Sequence, residues 1–330
     1  MPFSYDKDVG GALEMMKGFS DKMGVPLTFE GIPAGDVDTR RAQFKKMMDM
    51  MPASGLSVPE NIEIKDFTAT APDGYEVPLR WISLKKNSEG EEQKLGPAVL
   101  HVHGGGMILG SVALSTPPII AQVNATSVPV LMVDYRLAPE NPHPIPVNDV
   151  YAGLVWLQEH AAELSVDPAR IGVLGESSGG GLAAGAVLMA RDKKLTPPIA
   201  KQMLWQPMLD DRNTVPNEHI APFAFWTYDD NKTGWGALLG DTAGTDEVDY
   251  YGSPARATDL SGLPDTYLDV GQLDIFLYDT LDYARNLSKG AVNVELHVYP
   301  GCCHTFNIVS RAGETTKRAM DNRYTYVKTI

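Results

Sequence analysis

The chain has 330 residues, of which 43% are hydrophobic and 21% are charged. This balance is typical of a soluble globular protein, and the length suffices for one large α/β domain with an accessory part or for two modest domains. Asp and Glu number 42 and Lys and Arg 28, which gives a formal net charge of −14. Such a charge argues against partners that are nucleic acids or anionic membranes.

The two cysteines, Cys302 and Cys303, are adjacent in the sequence. Adjacent cysteines cannot join distant segments, and a bond between them would strain the intervening peptide. Their use fits a reducing compartment. The first ten residues contain no apolar core of a secretory signal, and no apolar run is long enough to span a bilayer. We therefore expect a cytoplasmic protein without a membrane partner, and a homodimer stays open as its assembly.

The first 55 residues are rich in Met and are expected to be helical. Leu13, Met16, Phe19 and Met23 recur at spacings of three and four, which predicts a first helix. Proline and glycine residues between positions 26 and 35 interrupt this pattern. A second helix is predicted over residues 39–51.

From residue 62 onward the pattern predicts strands. Residues 62–70 and 75–85 alternate in polarity around Asp73-Gly74, which indicates a hairpin. An amphipathic helix is predicted from the apolar positions between Val147 and Leu164. The further predicted strands, most of them followed by a turn and a helix, are 97–102, 128–134, 170–174, 199–206, 266–270 and 292–299. This alternation predicts a mostly parallel sheet with helices on both faces and the hairpin at one edge.

Residues 207–262 interrupt the alternation of strands and helices. This stretch is rich in Pro, Gly, Asp and aromatic residues and contains no convincing strand. We interpret it as an insertion that covers the strand ends together with the N-terminal helices. The predicted organisation is therefore a cap made of residues 1–55 and 207–262, and an α/β domain made of residues 56–206 and 263–330.

The segment 175–179, Gly-Glu-Ser-Ser-Gly, directly follows a predicted strand and has the G-x-S-x-G pattern of a nucleophile elbow. In such an elbow a strand turns sharply into a helix, and only small neighbours permit the strained serine. The small residues from Gly179 to Ala190 predict that helix, whose N-terminus favours developing negative charge. Five residues alone match by chance, but this context makes Ser177 the candidate nucleophile. Ser178 is a competing hydroxyl outside the central position.

A second motif, His103-Gly104-Gly105-Gly106, follows the predicted strand that ends at Val102. We name residues 103–106 the glycine loop. Consecutive glycines let a backbone approach a substrate, and backbone N–H donors stabilise the oxyanion of acyl transfer. With the N–H of Ser178, this is the HGGG-type arrangement of esterases and lipases. The alternatives are a plain glycine turn and a phosphate-binding loop, although the latter lacks its usual partner residues.

His304 is the best candidate for the general base. It follows the last predicted strand, and it fits the order Ser, Asp or Glu, His that this fold uses. Asp274 lies just past the preceding strand and is favoured as the carboxylate that orients the imidazole. Asp269, inside that strand, is the rival, whereas Asp279 and Asp282 fall on the following helix. The remaining histidines lie in predicted strands, a helix or loops: His101, His103, His143, His160, His219 and His297.

Together these motifs resemble the hormone-sensitive-lipase-like esterases, or bacterial family IV, of the α/β-hydrolase superfamily. The matching segments occur in the family's order: 103–107 (HGGGM), 135–140 (YRLAPE), 175–180 (GESSGG), Leu273-Asp274 and His304. The resemblance implies an α/β-hydrolase fold with an eight-stranded, mostly parallel sheet, flanking helices and a helical cap.

The same resemblance assigns roles to single residues. It implies that Gly105 and Gly106 donate to the oxyanion, and that residues 135–140 with Asp149 brace the glycine loop. The chain departs from the family's usual Asp and Ala beside the serine, which are Glu176 and Ser178 here.

The expected activity is cleavage of a carboxylic ester or lactone through an acyl-serine, with no cofactor and no metal. Candidates for an apolar substrate pocket, or simply for the core of the cap, are Phe19, Met107, Phe223, Phe225 and Trp226. Because a capped pocket limits chain length, we expect small-to-medium substrates. The alternatives are an acyltransferase with the same triad and a non-catalytic small-molecule receptor, and the presence of His304 favours an enzyme.

Overall fold

The computed structural model describes residues 3–50, 58–85 and 94–330. Its central feature is one sheet built from β1 Ile62–Thr70, β2 Glu76–Leu84, β3 Gly96–Val102, β4 Val130–Val133, β5 Val166–Glu176, β6 Lys201–Trp205, β7 Asp265–Gly271 and β8 Val294–Tyr299. The order across the eight-stranded sheet is β1-β2-β4-β3-β5-β6-β7-β8. The β1–β2 hairpin is antiparallel, β2 is antiparallel to β4, and the strands from β3 to β8 are parallel. The predicted, mostly parallel sheet is confirmed.

The helices are α1 Lys7–Met23, α2 Val37–Met50, α3 Val112–Thr126, α4 Ile145–Glu159, α5 Ser178–Asp192, α6 Tyr228–Leu239, α7 Leu277–Lys289, α8 Phe306–Val309 and α9 Glu314–Val327. The second predicted helix corresponds to α2, and its predicted last residue, 51, lies outside the described residues. The predicted amphipathic helix is shorter than expected, because α4 ends at Glu159 and Leu164 follows in a turn.

Helices cover both faces of the sheet. One layer contains α4, α5 and α7, whose apolar side chains share a buried cluster with the strands. The opposite layer contains α3 and α9. Strand β3 shows why its sequence is a continuous apolar run: Leu100 and Val102 belong to the first cluster and Val99 to the second. A parallel strand buried on both faces needs apolar residues at every position.

The N-terminal segment (residues 3–50) packs on α6 of the insertion. The guanidinium of Arg40 bonds Asp230 at 2.9 Å, and both side chains are fully buried. The Gly35 N–H donates to the Thr233 hydroxyl at 2.9 Å. Within the described insertion α6 is the longest helix and no strand occurs. The division into a cap and an α/β domain stays a prediction.

In the described ranges, no helix combines the length and the apolar character needed to cross a bilayer.

Candidate active site

Ser177 lies between the end of β5 and the start of α5 with φ +54° and ψ −121°, a strained conformation for a residue with a side chain. The flanking glycines make this turn sterically accessible. A Cβ on Gly175 would lie 2.1 Å from the Gly179 carbonyl oxygen, and a Cβ on Gly179 would lie 2.2 Å from that of Val102. The backbone therefore dictates the glycine spacing, and it holds Ser177 at the N-terminus of α5.

A hydrogen-bonded chain joins three side chains that the sequence places far apart. The Ser177 Oγ lies 2.9 Å from His304 Nε2, and His304 Nδ1 lies 2.6 Å from Asp274 Oδ2. Asp274 is fully buried, and its Oδ1 accepts the Phe276 N–H at 3.0 Å. Because Nδ1 donates its proton to the carboxylate, Nε2 is the acceptor that faces the serine hydroxyl.

The rival carboxylate, Asp269, is engaged elsewhere. Its two oxygens bond Arg323 at 2.5 and 2.8 Å, and both side chains are fully buried. The Tyr267 hydroxyl also donates to Asp269 at 3.2 Å. The Arg323 guanidinium lies over the Trp205 ring at 4.5 Å from its centroid. Asp269 thus forms a buried ion pair, whereas Asp274 is the carboxylate bonded to His304.

The glycine loop lies against the serine turn. A Cβ on Gly104 would lie 3.0 Å from the Glu176 carbonyl oxygen and 3.1 Å from the Ser177 Cβ. Gly105 has φ +128°, and a Cβ there would lie 2.2 Å from the Leu109 carbonyl oxygen. A side chain is therefore excluded at Gly105 and would crowd the serine turn at Gly104, so the loop backbone lies close to Ser177.

His103 and Tyr135 hold the glycine loop through hydrogen bonds to its backbone carbonyls. The His103 Nδ1–H donates to the Gly104 carbonyl at 2.9 Å, and the Tyr135 hydroxyl donates to the His103 carbonyl at 2.9 Å. The two rings stack with centroids 4.3 Å apart. Burial lowers the pKa of His103 to about 4, so this imidazole is neutral near pH 7 and carries a single N–H. Its one proton is used to fix the loop.

The two residues beside Ser177 lie next to buried side chains. The Ser178 side chain is fully buried near the Tyr135 hydroxyl, whereas the imidazole of His304 bonds Ser177. The Glu176 carboxylate accepts a hydrogen bond from His101 at 3.2 Å. Burial opposes its ionisation, but this bond and nearby positive charge lower the pKa of Glu176 below its ordinary value.

Two of the predicted pocket residues contact this region. A Cβ on Gly106 would lie 2.5 Å from the ring of Trp226, so the indole packs directly on the glycine loop. Met107 is fully buried, and its methyl group would lie 3.9 Å from a Cβ on Gly181 of α5.

The other three predicted pocket residues have different surroundings. Phe223 packs edge to face on Tyr5 with ring centroids 5.1 Å apart. Phe225 packs, partly buried, against the cluster that includes Cys302 and Cys303. Phe19 is 47% exposed on α1.

The sequence pattern did not single out Gln206, whose side chain contacts the loop that carries His304. The one available signal is its position at the carboxyl end of β6, the sheet edge where ligand sites of parallel sheets gather. Among the described residues, no group of three or more His, Cys, Asp or Glu side chains is arranged to hold a metal ion.

Comparison with known proteins places the chain in a family. Residues 99–308 match the alpha/beta hydrolase fold family. The chain belongs to this family. The carboxylesterase NlhH of Mycobacterium tuberculosis is 34% identical over 231 residues, which cover 68% of this chain and 72% of NlhH. An arylesterase of Saccharolobus solfataricus is 32% identical over 241 residues, 71% of this chain and 74% of the arylesterase.

Solved structures agree with this assignment. A bacterial heroin esterase superposes with a TM-score of 0.85 at 32% identity, over 99% of this chain and 98% of that chain. A thermostable esterase from Pseudomonas putida superposes with a TM-score of 0.82 at 26% identity, over 99% and 97% of the two chains. The resemblance to the hormone-sensitive-lipase-like branch of the fold is confirmed.

Proposed function

We propose that this member of the alpha/beta hydrolase family is a serine esterase that cleaves small-to-medium carboxylic esters at Ser177. The observation that carries the proposal is the unbroken hydrogen-bonded chain from Ser177 through His304 to Asp274, formed at a strained turn. The names of its relatives support the reaction class, since they are a carboxylesterase, an arylesterase and a heroin esterase.

The first half of the reaction forms an acyl-serine. The Ser177 Oγ attacks the ester carbonyl carbon, and its proton moves to His304 Nε2, which lies 2.9 Å away. The carbonyl electron pair moves onto oxygen, and the negative charge of Asp274 stabilises the imidazolium at 2.6 Å. When the carbonyl re-forms, the alcohol leaves with the proton that His304 returns.

Backbone donors are proposed to hold the oxyanion. The N–H of Ser178 belongs to the first turn of α5 and has no carbonyl partner within that helix. Gly105 and Gly106, in the loop that lies against Ser177, would supply the other donors. In the second half, a water molecule gives its proton to His304 and attacks the acyl carbon. The bond from that carbon to Ser177 Oγ then breaks, His304 returns the proton to Oγ, and the acid leaves.

The expected limit on substrate size rests on the insertion. Trp226 packs on Gly106, so an aromatic ring of the proposed cap bounds the space beside the oxyanion donors. A cytoplasmic location is part of the proposal and rests on Cys302 and Cys303, which are both free thiols. An acyltransferase would share the acyl-serine, so the assay includes an acceptor alcohol.

The test is the rate of hydrolysis of nitrophenyl esters from acetate to palmitate, with and without the acceptor. We expect rates that peak at short or medium chains, and a loss of kcat on the order of 10⁴-fold or more in Ser177→Ala. Ser178→Ala is the matched control and keeps activity within about tenfold, because its hydroxyl is buried away from the reaction. Full activity of Ser177→Ala contradicts the mechanism, and rates that climb steadily to palmitate contradict the size limit.

A further inference from the structure

Residues 205–208, at the end of β6 and the start of the insertion, form hydrogen bonds with both the N–H and the carbonyl of Ser177. The Trp205 carbonyl accepts the Ser177 N–H at 2.9 Å, and the Met208 N–H donates to the Ser177 carbonyl at 2.9 Å. We name residues 205–208 the bridging segment. It holds both the N–H and the carbonyl of Ser177, whose backbone has a positive φ.

Gln206, inside the bridging segment, reaches from the nucleophile to the loop of the base. Its Oε1 accepts the backbone N–H of Thr305, the residue directly after His304. Its Nε2 donates to Asn307 Oδ1 at 2.9 Å. Gln206 is 3% exposed, so water cannot replace these bonds without local opening of the structure.

The backbone of Gln206 is itself held in place. Its N–H donates to the Asp269 carbonyl of β7 at 2.8 Å, and the Asp269 side chain is bonded to Arg323. Gln206 has φ +49° and Thr305 has φ +56°, so both residues adopt left-handed backbone that only surrounding contacts can maintain. The hydrogen bond from the Thr305 N–H to the Gln206 side chain therefore links two residues whose backbones are constrained.

Other contacts orient the imidazole or hold the chain before His304 from the β7 side, where the Leu273 N–H donates to the Cys302 carbonyl at 2.9 Å. Asp274 bonds Nδ1, and Phe276 packs edge to face on the His304 ring at a centroid distance of 5.0 Å. Both lie after β7. Among the hydrogen bonds of the described residues, those of the Gln206 side chain link the backbone next to His304 to the segment that also holds Ser177.

We propose that Gln206 is a positioning residue that sets the distance between Ser177 Oγ and His304 Nε2. It acts through the Thr305 backbone and touches no reacting atom. This inference rests on the proposed function, because it matters only if His304 takes the serine proton. A misplacement of about 1 Å between reacting groups costs about 100-fold in rate, so loss of the link should be visible in turnover.

The experiment compares Gln206→Ala with Gln158→Ala on the best nitrophenyl ester. Gln158 is a matched control because its amide bonds the Pro197 carbonyl at 2.8 Å, on α4 and outside the site. We expect Gln206→Ala to lower kcat about 10- to 100-fold with KM changed less than about threefold, and Gln158→Ala to keep both constants within about twofold. Asn307→Ala, which frees the Gln206 amide without altering the bridging segment, should lower kcat several-fold and serves if Gln206→Ala fails to fold.

A second arm repeats Gln206→Ala in the His304→Ala background. If Gln206 acts through the base, the double variant has the same residual rate as His304→Ala, because effects of groups that work as a unit are not additive. An equal loss in both backgrounds, a change in KM alone, or a folded Gln206→Ala with wild-type kcat would each overturn the inference. Full activity of His304→Ala would instead refute the proposed function.

Discussion

Asp279 in the first turn of α7 offers a test of how burial and charge act near the site. Asn213 of the insertion donates to Asp279 Oδ2 at 2.8 Å and to the Ile275 carbonyl at 2.9 Å. Burial raises the pKa of Asp279 to about 8. The Asn213 bond opposes this effect, and the nearby acidic side chains, among them Asp274, add to it.

The shift has a definite sign for stability. Because the folded-state pKa of Asp279 lies above its ordinary value of 3.8, the folded chain binds this proton more tightly than the unfolded chain between these two values. The contribution that neutral Asp279 makes to the free energy of unfolding is fully present below about pH 4. It is lost as the pH rises towards about 8, and above that pH the free energy of unfolding no longer depends on this group. At about 1.4 kcal/mol per pH unit the upper bound is about 6 kcal/mol, and the partial exposure of Asp279 reduces the expected loss to about 2 kcal/mol.

We therefore expect Asp279→Asn, which keeps an acceptor oxygen for Asn213 and cannot ionise, to raise the free energy of unfolding by about 2 kcal/mol at about pH 8.5. The gain should shrink towards zero at about pH 4, where residue 279 is neutral in the folded state of both the wild type and the variant. Urea unfolding at several pH values measures it. Asp282→Asn is the matched control on α7, because that side chain is 64% exposed, and it should stay within about 0.5 kcal/mol. A gain independent of pH, or a loss at pH 8.5, refutes this reasoning.

Two further predictions concern backbone space and the two rival carboxylates. Gly179→Ala places a Cβ 2.2 and 2.3 Å from two backbone oxygens, so it should lower the free energy of unfolding by about 3 kcal/mol or more. Its control, Gly236→Ala, places a Cβ that meets no atom within 4 Å, so it should be neutral or stabilising in thermal melts. Asp274→Asn should lower kcat by about 10³- to 10⁴-fold with little change in melting temperature. Asp269→Asn should mainly lower the melting temperature, because it leaves Arg323 buried and unpaired at a cost of about 3–5 kcal/mol. Inactive but stable Asp269→Asn would contradict this division of roles.

The parallel strands could be predicted because burial on both faces leaves continuous apolar runs in the sequence. Their ends were less accurate. Strand β5 begins at Val166, four residues before its predicted start, because Val166 pairs with Gly96 of β3 ahead of an irregularity in the register. The position of β4 between β2 and β3 depends on crossover connections that local patterns do not encode.

The serine turn was predictable because its glycine spacing follows from local backbone sterics. Gln206 was not, since its partner Thr305 lies 99 residues further along the chain and a single buried Gln leaves no pattern. The pocket residues were difficult for a similar reason: aromatic composition does not show that Phe223 pairs with Tyr5 while Trp226 packs on the glycine loop.

The most direct measurement of the role of Ser177 is reaction of the folded protein with a fluorophosphonate probe, followed by peptide mapping of the adduct. We expect one adduct per chain, on Ser177, that is lost in Ser177→Ala, retained in Ser178→Ala and formed far more slowly in His304→Ala. Heat-unfolded protein serves as the unlabelled control. An adduct on Ser178, or no adduct on folded wild-type protein, would contradict the proposed nucleophile.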